Sequence, residues 1–151
     1  MSVRKYVFDT NCFIDAGRDP VAQEAFRRFA EEAAPGLYLS AVVAAELRMG
    51  AVHAEARRTL ENLVLVPYQR RGRVLTPSAR SWEVLGTVLG TLALREGLPV
   101  GRTRRSFMFD ILVAQSCREA GAVLVSGNTR DMARIAKITP FEWVAPYPHL
   151  R

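Results

Sequence analysis

Short apolar runs alternate with longer amphipathic stretches along this chain, and the alternation predicts its elements. Lys5 to Phe8 is an apolar strand that stops at Asp9. Pro20 to Ala33 repeats at helical spacing, with Val21, Ala25, Phe26 and Phe29 on one face. Pro35-Gly36 breaks it, Leu37 to Leu39 reads as a strand, and Ser40 is a suitable N-cap for a helix from Ala41 to about Gly50. Glu55 to Val66 is helical in pattern, and Thr76-Pro77 opens a further helix with Thr as its cap. Trp82, Leu85, Leu89 and Leu92 form an apolar stripe on that helix, suited to core or to a subunit contact. Gly97, Pro99 and Gly101 end it in a loop, and a helix from Ser106 to Ala120 is closed by Gly121. Ala122 to Ser126 reads as a strand, Thr129 to Ile135 as a short helix, and Ile138 to Trp143 as a last strand. Strands alternating with helices imply a parallel sheet covered on both faces, with its site at the carboxyl ends of the strands.

Length adds one constraint: 151 residues suit one compact domain, and neither a repeat nor a linker divides them. No apolar run reaches the roughly 18 residues of a membrane span, and the N-terminus lacks a signal-peptide core, so the expectation is a cytoplasmic protein. Cys12, Cys117, His53 and His149 are too few and too scattered for structural zinc. The thiols read as buried and unpaired, the histidines as surface residues. Lys+Arg number 21 against 15 Asp+Glu, a net charge of +6. Two tight arginine groups, Arg70, Arg71 and Arg73, then Arg102, Arg104 and Arg105, offer forks for phosphate oxygens, although a basic surface alone does not establish a nucleic-acid partner.

The acids change the picture further. Glu31, Glu32, Glu61 and Glu119 lie in polar company, and Asp15 reads as an exposed helix residue. Asp9 ends Tyr6-Val7-Phe8, Glu46 follows Val42-Val43-Ala44-Ala45, and Asp110 interrupts Phe107-Met108-Phe109 and Ile111-Leu112-Val113-Ala114. An ionised carboxylate in such surroundings costs several kcal/mol unless compensated. An arginine, a helix N-terminus or backbone amides could compensate each one singly. Alternating strands and helices let all three converge on one sheet edge, where a shared proton or a cation must relieve their repulsion. Oxygen-only donors favour a hard ion, Mg²⁺ or Mn²⁺.

The opening VFDTNCFID, then LSAVVAAEL, then SFMFDILVAQSCREAGAVLVSGNTRDM resemble, in order and spacing, the motifs of PIN domains. Together with the chain length and the final FEW segment, they look most similar to the VapC-type toxins of bacterial toxin–antitoxin pairs. The resemblance covers Lys5 to about Trp143 and implies a three-layer α/β sandwich. It also implies a metal-dependent ribonuclease with a cognate antitoxin, which leaves 5′-phosphate and 3′-hydroxyl ends. Carried over by motif, Asp9, Glu46 and Asp110 would hold Mg²⁺ or Mn²⁺, and Thr10 or Asn11 would orient the first acid or the phosphate. The arginine groups would hold RNA backbone. The fourth motif departs from the usual form: its acid aligns with Asn128, with Asp131 close by, so either residue could complete the site. An amide there brings no charge, which keeps open a catalytically weak PIN module that binds RNA or a protein. A homodimer is expected from the resemblance and the stripe through Trp82, Leu85 and Leu89. A haloacid-dehalogenase-like reading fails on Asn11, where that family's second Asp would stand, and no Gly-rich loop supports a nucleotide-binding fold.

Overall fold

The computed structural model describes residues 3–97 and 99–150. The chain runs β1 (Lys5–Phe8), α1 (Thr10–Arg18), α2 (Pro20–Ala33), β2 (Leu37–Ser40) and α3 (Ala41–Gly50). A long helical segment follows, made of α4 (Ala54–Thr59), a π-helical stretch (Leu60–Leu65) and α5 (Val66–Arg70). Then come β3 (Val74–Leu75), α6 (Ala79–Glu96), α7 (Arg105–Ala120), β4 (Ala122–Val125), α8 (Thr129–Ala136) and β5 (Trp143–Val144). The strands form one sheet in the order β3-β2-β1-β4-β5, and every pairing is parallel.

Alternation along the central strands builds the three layers. Val7, Ala122 and Leu124 point into a core shared with α3, α6, α7 and α8. Tyr6, Phe8, Val123 and Val125 point the other way, toward α2 and the C-terminal segment. There Phe29 meets Tyr6 edge-on with centroids 5.3 Å apart, and Tyr147 stacks on Phe29 at 5.5 Å. α7 is enclosed nearly all round, buried without a break from Asp110 to Cys117, and so carries its acid into the interior.

Several elements differ from the periodic reading, each for a local reason. The helix expected to end at Val66 continues to Arg70, past Pro67. Proline has no amide hydrogen and crowds the preceding turn, and the widened π turn before it accommodates both effects. Ser78 rather than Thr76 caps α6, accepting from Ser81 N at 3.2 Å. The last strand is confined to Trp143–Val144, because Ile138 and Thr139 still donate to Ile135 O and Pro140 has no amide hydrogen to give a ladder. β3 was not expected at all. The stripe on α6 faces inward: Leu85, Leu89 and Leu92 belong to the protein's own core, while Trp82 is 57% exposed. Leu85 and Leu89 therefore cannot form the expected dimer contact.

Gly36, read as part of a break, has a steric role. A Cβ built there would sit 1.9 Å from the carbonyl oxygen of Arg4, so the turn into β2 passes directly against the chain entering β1. Gly36→Ala is expected to destabilise the fold by about 1–3 kcal/mol, as overpacking does. A thermal melt unchanged from wild type would refute this contact.

Candidate active site

Strand order reverses direction at β1: β2 and β3 lie to one side of it, β4 and β5 to the other. The segments leaving β1 and β4 meet there at the carboxyl ends of the strands, the usual ligand position in such sheets. Asp9 follows β1 directly, caps α1, and is 2% exposed. Its Oδ1 accepts from Thr10 N at 2.8 Å, and its Oδ2 accepts from Ser126 Oγ at 2.6 Å and Asn11 Nδ2 at 3.0 Å. From the segment after β4, Gly127 N donates to Asn11 Oδ1 at 2.8 Å. A Cβ on Gly127 would lie 3.2 Å from that same oxygen, so the loop after β4 needs a small residue to come this close.

The other acids arrive on helices. Glu46, half-buried on α3, accepts from Thr10 Oγ1 at 2.9 Å. Asp110 on α7 is 7% exposed and accepts from Asn128 Nδ2 at 3.0 Å. The same amide nitrogen donates to Asp131 Oδ2 at 3.1 Å, and Arg104 reaches that oxygen at 3.3 Å. Asn128 thus tethers two carboxylates, Asp110 and Asp131, through its donor end.

Burial and mutual repulsion set the electrostatics. Asp110 is pushed up to about 8, first by loss of water and then by Asp9, Glu46 and Asp131. Asp9 is raised by burial despite its three donors. Glu46 is raised chiefly by burial and further by Asp9, and Arg105 partly offsets this. The three acids singled out from sequence therefore face one another electrostatically, together with Asp131. As their side chains stand, no three His, Cys, Asp or Glu residues among the described residues are gathered into a set that could hold a metal ion.

The arginine groups part company. Arg104 and Arg105 border the acids, and Arg102 lines a small adjoining cavity of about 200 Å³ with Arg104, Arg134 and Phe107. Arg70, Arg71 and Arg73 precede β3 and so belong to the opposite edge of the parallel sheet. Arg73 hydrogen-bonds to Ala34 O and lies over Tyr38, both away from the acids, so this group is not part of the site. Sequence reasoning missed Ser126, which contacts Asp9 from the end of β4, and the basic residues of α8 beside Asp131. The signal for Ser126 was its position as the last polar residue of a buried strand on the functional edge. His53 and His149 are exposed, Cys12 and Cys117 are buried free thiols, and Asp15 is exposed, as expected.

Fold and site define a doubly covered parallel α/β domain with neighbouring acids at its topological switch point. The PIN domain family model matches residues 6–138, and the chain belongs to that family. Solved structures share the fold over nearly the whole chain. DNA-bound VapBC from Salmonella typhimurium matches at 25% identity and TM-score 0.68, covering 95% of this chain and 99% of that one. FitAcB from Neisseria gonorrhoeae matches at 19% identity and TM-score 0.69, covering 96% and 99%. VapBC-1 from nontypeable Haemophilus influenzae matches at 24% identity and TM-score 0.63, covering 93% and 96%. No curated protein shows a significant match. Among the described residues no helix is long and apolar enough to cross a membrane.

Proposed function

We propose that this protein is a Mg²⁺- or Mn²⁺-dependent ribonuclease and the toxin of a toxin–antitoxin pair. The observation that carries the reading is that buried Asp9 and Asp110 and half-buried Glu46 and Asp131 are brought to one sheet edge, where loss of water first and the neighbouring acids second push Asp110 up to about 8. That surplus of negative charge, presented by oxygen donors alone, suits a hard divalent cation. Asp9, Glu46 and Asp110 would hold the ion, with Asp131 supplying the fourth charge. A bound cation supplies polarisation of the scissile phosphate and a more acidic attacking water.

The rest of the work falls to the chain's own groups. Ser126, Asn11 and Thr10 fix the orientation of Asp9, and Asn128 fixes Asp110 against Asp131. Glu46 has one hydroxyl donor and is the least buried of the three motif acids, so it is placed to take the proton from the attacking water. The water attacks phosphorus in line, the P–O3′ bond breaks, and the leaving 3′ oxygen takes a proton from solvent, giving 5′-phosphate and 3′-hydroxyl ends. Thr10 links the two halves of the site, since its amide holds Asp9 and its hydroxyl holds Glu46. Purified protein should cleave RNA with Mg²⁺ or Mn²⁺ and stop on addition of EDTA; cleavage indifferent to EDTA would remove the metal from the reading.

The second reading is a catalytically weak module that binds RNA or a protein. Asn128 favours it, because an amide turned donor-first toward the acids adds no charge for a cation. RNA binding without metal-dependent cleavage would put that reading first.

The similar VapBC and FitAB structures support a protein partner. A homodimer through α6 would use Trp82 and Leu94, which are 57% and 90% exposed. Light scattering should report twice the monomer mass. A monomer at high concentration would remove the dimer, and failure to bind a small DNA-binding protein encoded beside it would remove the toxin role.

A further inference from the structure

Beside the acids, a groove of about 1110 Å³ opens between the carboxyl-terminal end of α6 and the outer face of α8. Asn128 and Asp131 line it, and Asn128 also donates to Asp110, so the groove adjoins the acids. Its remaining polar walls are mainly cationic: Arg95, Arg104, Arg130, Arg134 and Lys137. Arg130, Arg134 and Lys137 recur at the four- and three-residue steps that place side chains on one helix face, while Met132 and Ile135 are buried on the other. α8 starts at the acids, and at 1.5 Å per residue the cationic stripe extends roughly 10 Å away from them.

The cations are not equivalent. Arg134 is held in place: it pairs with Glu96, and its guanidinium lies 4.8 Å from the centre of the Phe107 ring. Arg104 pairs with Asp131. Among the described residues, Arg95, Arg130 and Lys137 make no ion pair. Only Glu96 and Asp131 face these five cations from the groove wall. Like charges gathered along a groove focus a field that attracts anions.

We infer that this groove is a backbone track for single-stranded RNA, which carries the phosphates beside the scissile one along α8. The inference rests on the ribonuclease reading of the adjoining acids and adds to it a direction: the strand lies over α8, not along the Arg70–Arg73 edge. Arg134, already fixed, positions one phosphate without further ordering, while Arg130 and Lys137 close on others from the rim. Cations that meet phosphates contribute affinity and register and read no base.

The track is tested by RNA binding in an Asp9→Asn background, which keeps the probe intact, with a single-stranded oligoribonucleotide titrated at several salt concentrations. Arg130→Ala/Lys137→Ala should flatten the slope of log affinity against log salt by about 1.4, because each phosphate contact on a single strand contributes about 0.7. Equivalently, raising salt from about 50 to 200 mM should weaken the parent about sevenfold more than the double variant. The charge-keeping pair Arg130→Lys/Lys137→Arg should retain the parent slope, and Arg70→Ala/Arg71→Ala should leave it unaltered. An unchanged slope in Arg130→Ala/Lys137→Ala overturns the track, as does an equal loss in the Arg70/Arg71 control. Unchanged RNA affinity with loss of poly-glutamate binding also overturns it, and assigns the groove to an acidic protein segment. If unmutated protein fails to cleave but the slope change is seen, the catalytic reading falls and the track stands. If it cleaves and the slope is unchanged, the track alone falls.

Discussion

Asp9→Asn is expected to lower metal-dependent RNA cleavage by about two orders of magnitude or more, and Asp110→Asn to do the same. Each substitution removes one negative charge from the set that would hold the cation while keeping the side chain's shape. The two substitutions differ in their hydrogen bonds. Asn128 Nδ2 can still donate to an amide oxygen at position 110, whereas an amide nitrogen replacing Oδ2 at position 9 would face the Asn11 Nδ2 donor and a Ser126 hydroxyl that already accepts from Asn11 Nδ2 and Asn128 N. Relief of buried repulsion should hold or raise the melting temperature of metal-free Asp110→Asn, while Asp9→Asn should still fold but melt at or below the parent. Rates with saturating Mn²⁺, paired with thermal melts, test both halves. Undiminished cleavage by Asp9→Asn would trace the activity to a contaminating nuclease and leave the binding module as the better account.

The dependence on pH should be nearly as large. Asp110 must be ionised to take a cation, and burial with three neighbouring acids pushes it up to about 8. Below that value a proton must leave for each ion bound. The apparent affinity for Mg²⁺ at subsaturating concentration should then fall about tenfold for each pH unit from 8 down to 6. Folding stability of the metal-free protein runs the opposite way. The raised carboxyl favours the folded state below its ordinary carboxylate value, and this contribution is lost as pH rises through about 8. Asp110→Asn should flatten both curves. Metal affinity constant between pH 6 and 8 would mean that Asp110 is ionised throughout and feels its neighbours only weakly.

Much of the site was legible because burying an acid is costly. Asp9, Glu46 and Asp110 stood out by their apolar neighbours, and the parallel-sheet pattern placed them on one edge. What the chain order could not convey was which edge a loop residue faces. Arg70, Arg71 and Arg73 looked equivalent to the second arginine group, but they enter a strand rather than leave one, which sends them to the far end of the sheet. The two-residue β3 and β5 are too short for period-two alternation to register. The stripe on α6 was identified correctly as apolar, but periodicity does not distinguish one's own core from a partner's surface. Ser126 was hidden by its ordinariness: only its 2.6 Å contact with Asp9 separates it from any strand-terminal serine.

The Asp9–Ser126 hydrogen bond joins positions 117 apart in sequence, and β1 takes its other neighbour, β4, from the same distant stretch. On the ribosome, β1 emerges early and must wait for β4 before its acid is oriented. Loop closure over such a span is slow compared with local helix formation. The edge that carries these acids is consequently among the last features to be completed during synthesis. A chain stalled or cut before Val125 has Asp9 and Glu46 but neither the Ser126 hydroxyl nor the Asn128 tether. Copies that stop short of Ser126 therefore carry Asp9 without the hydroxyl that orients it, so the proposed hydrolytic capacity would follow completion of β4.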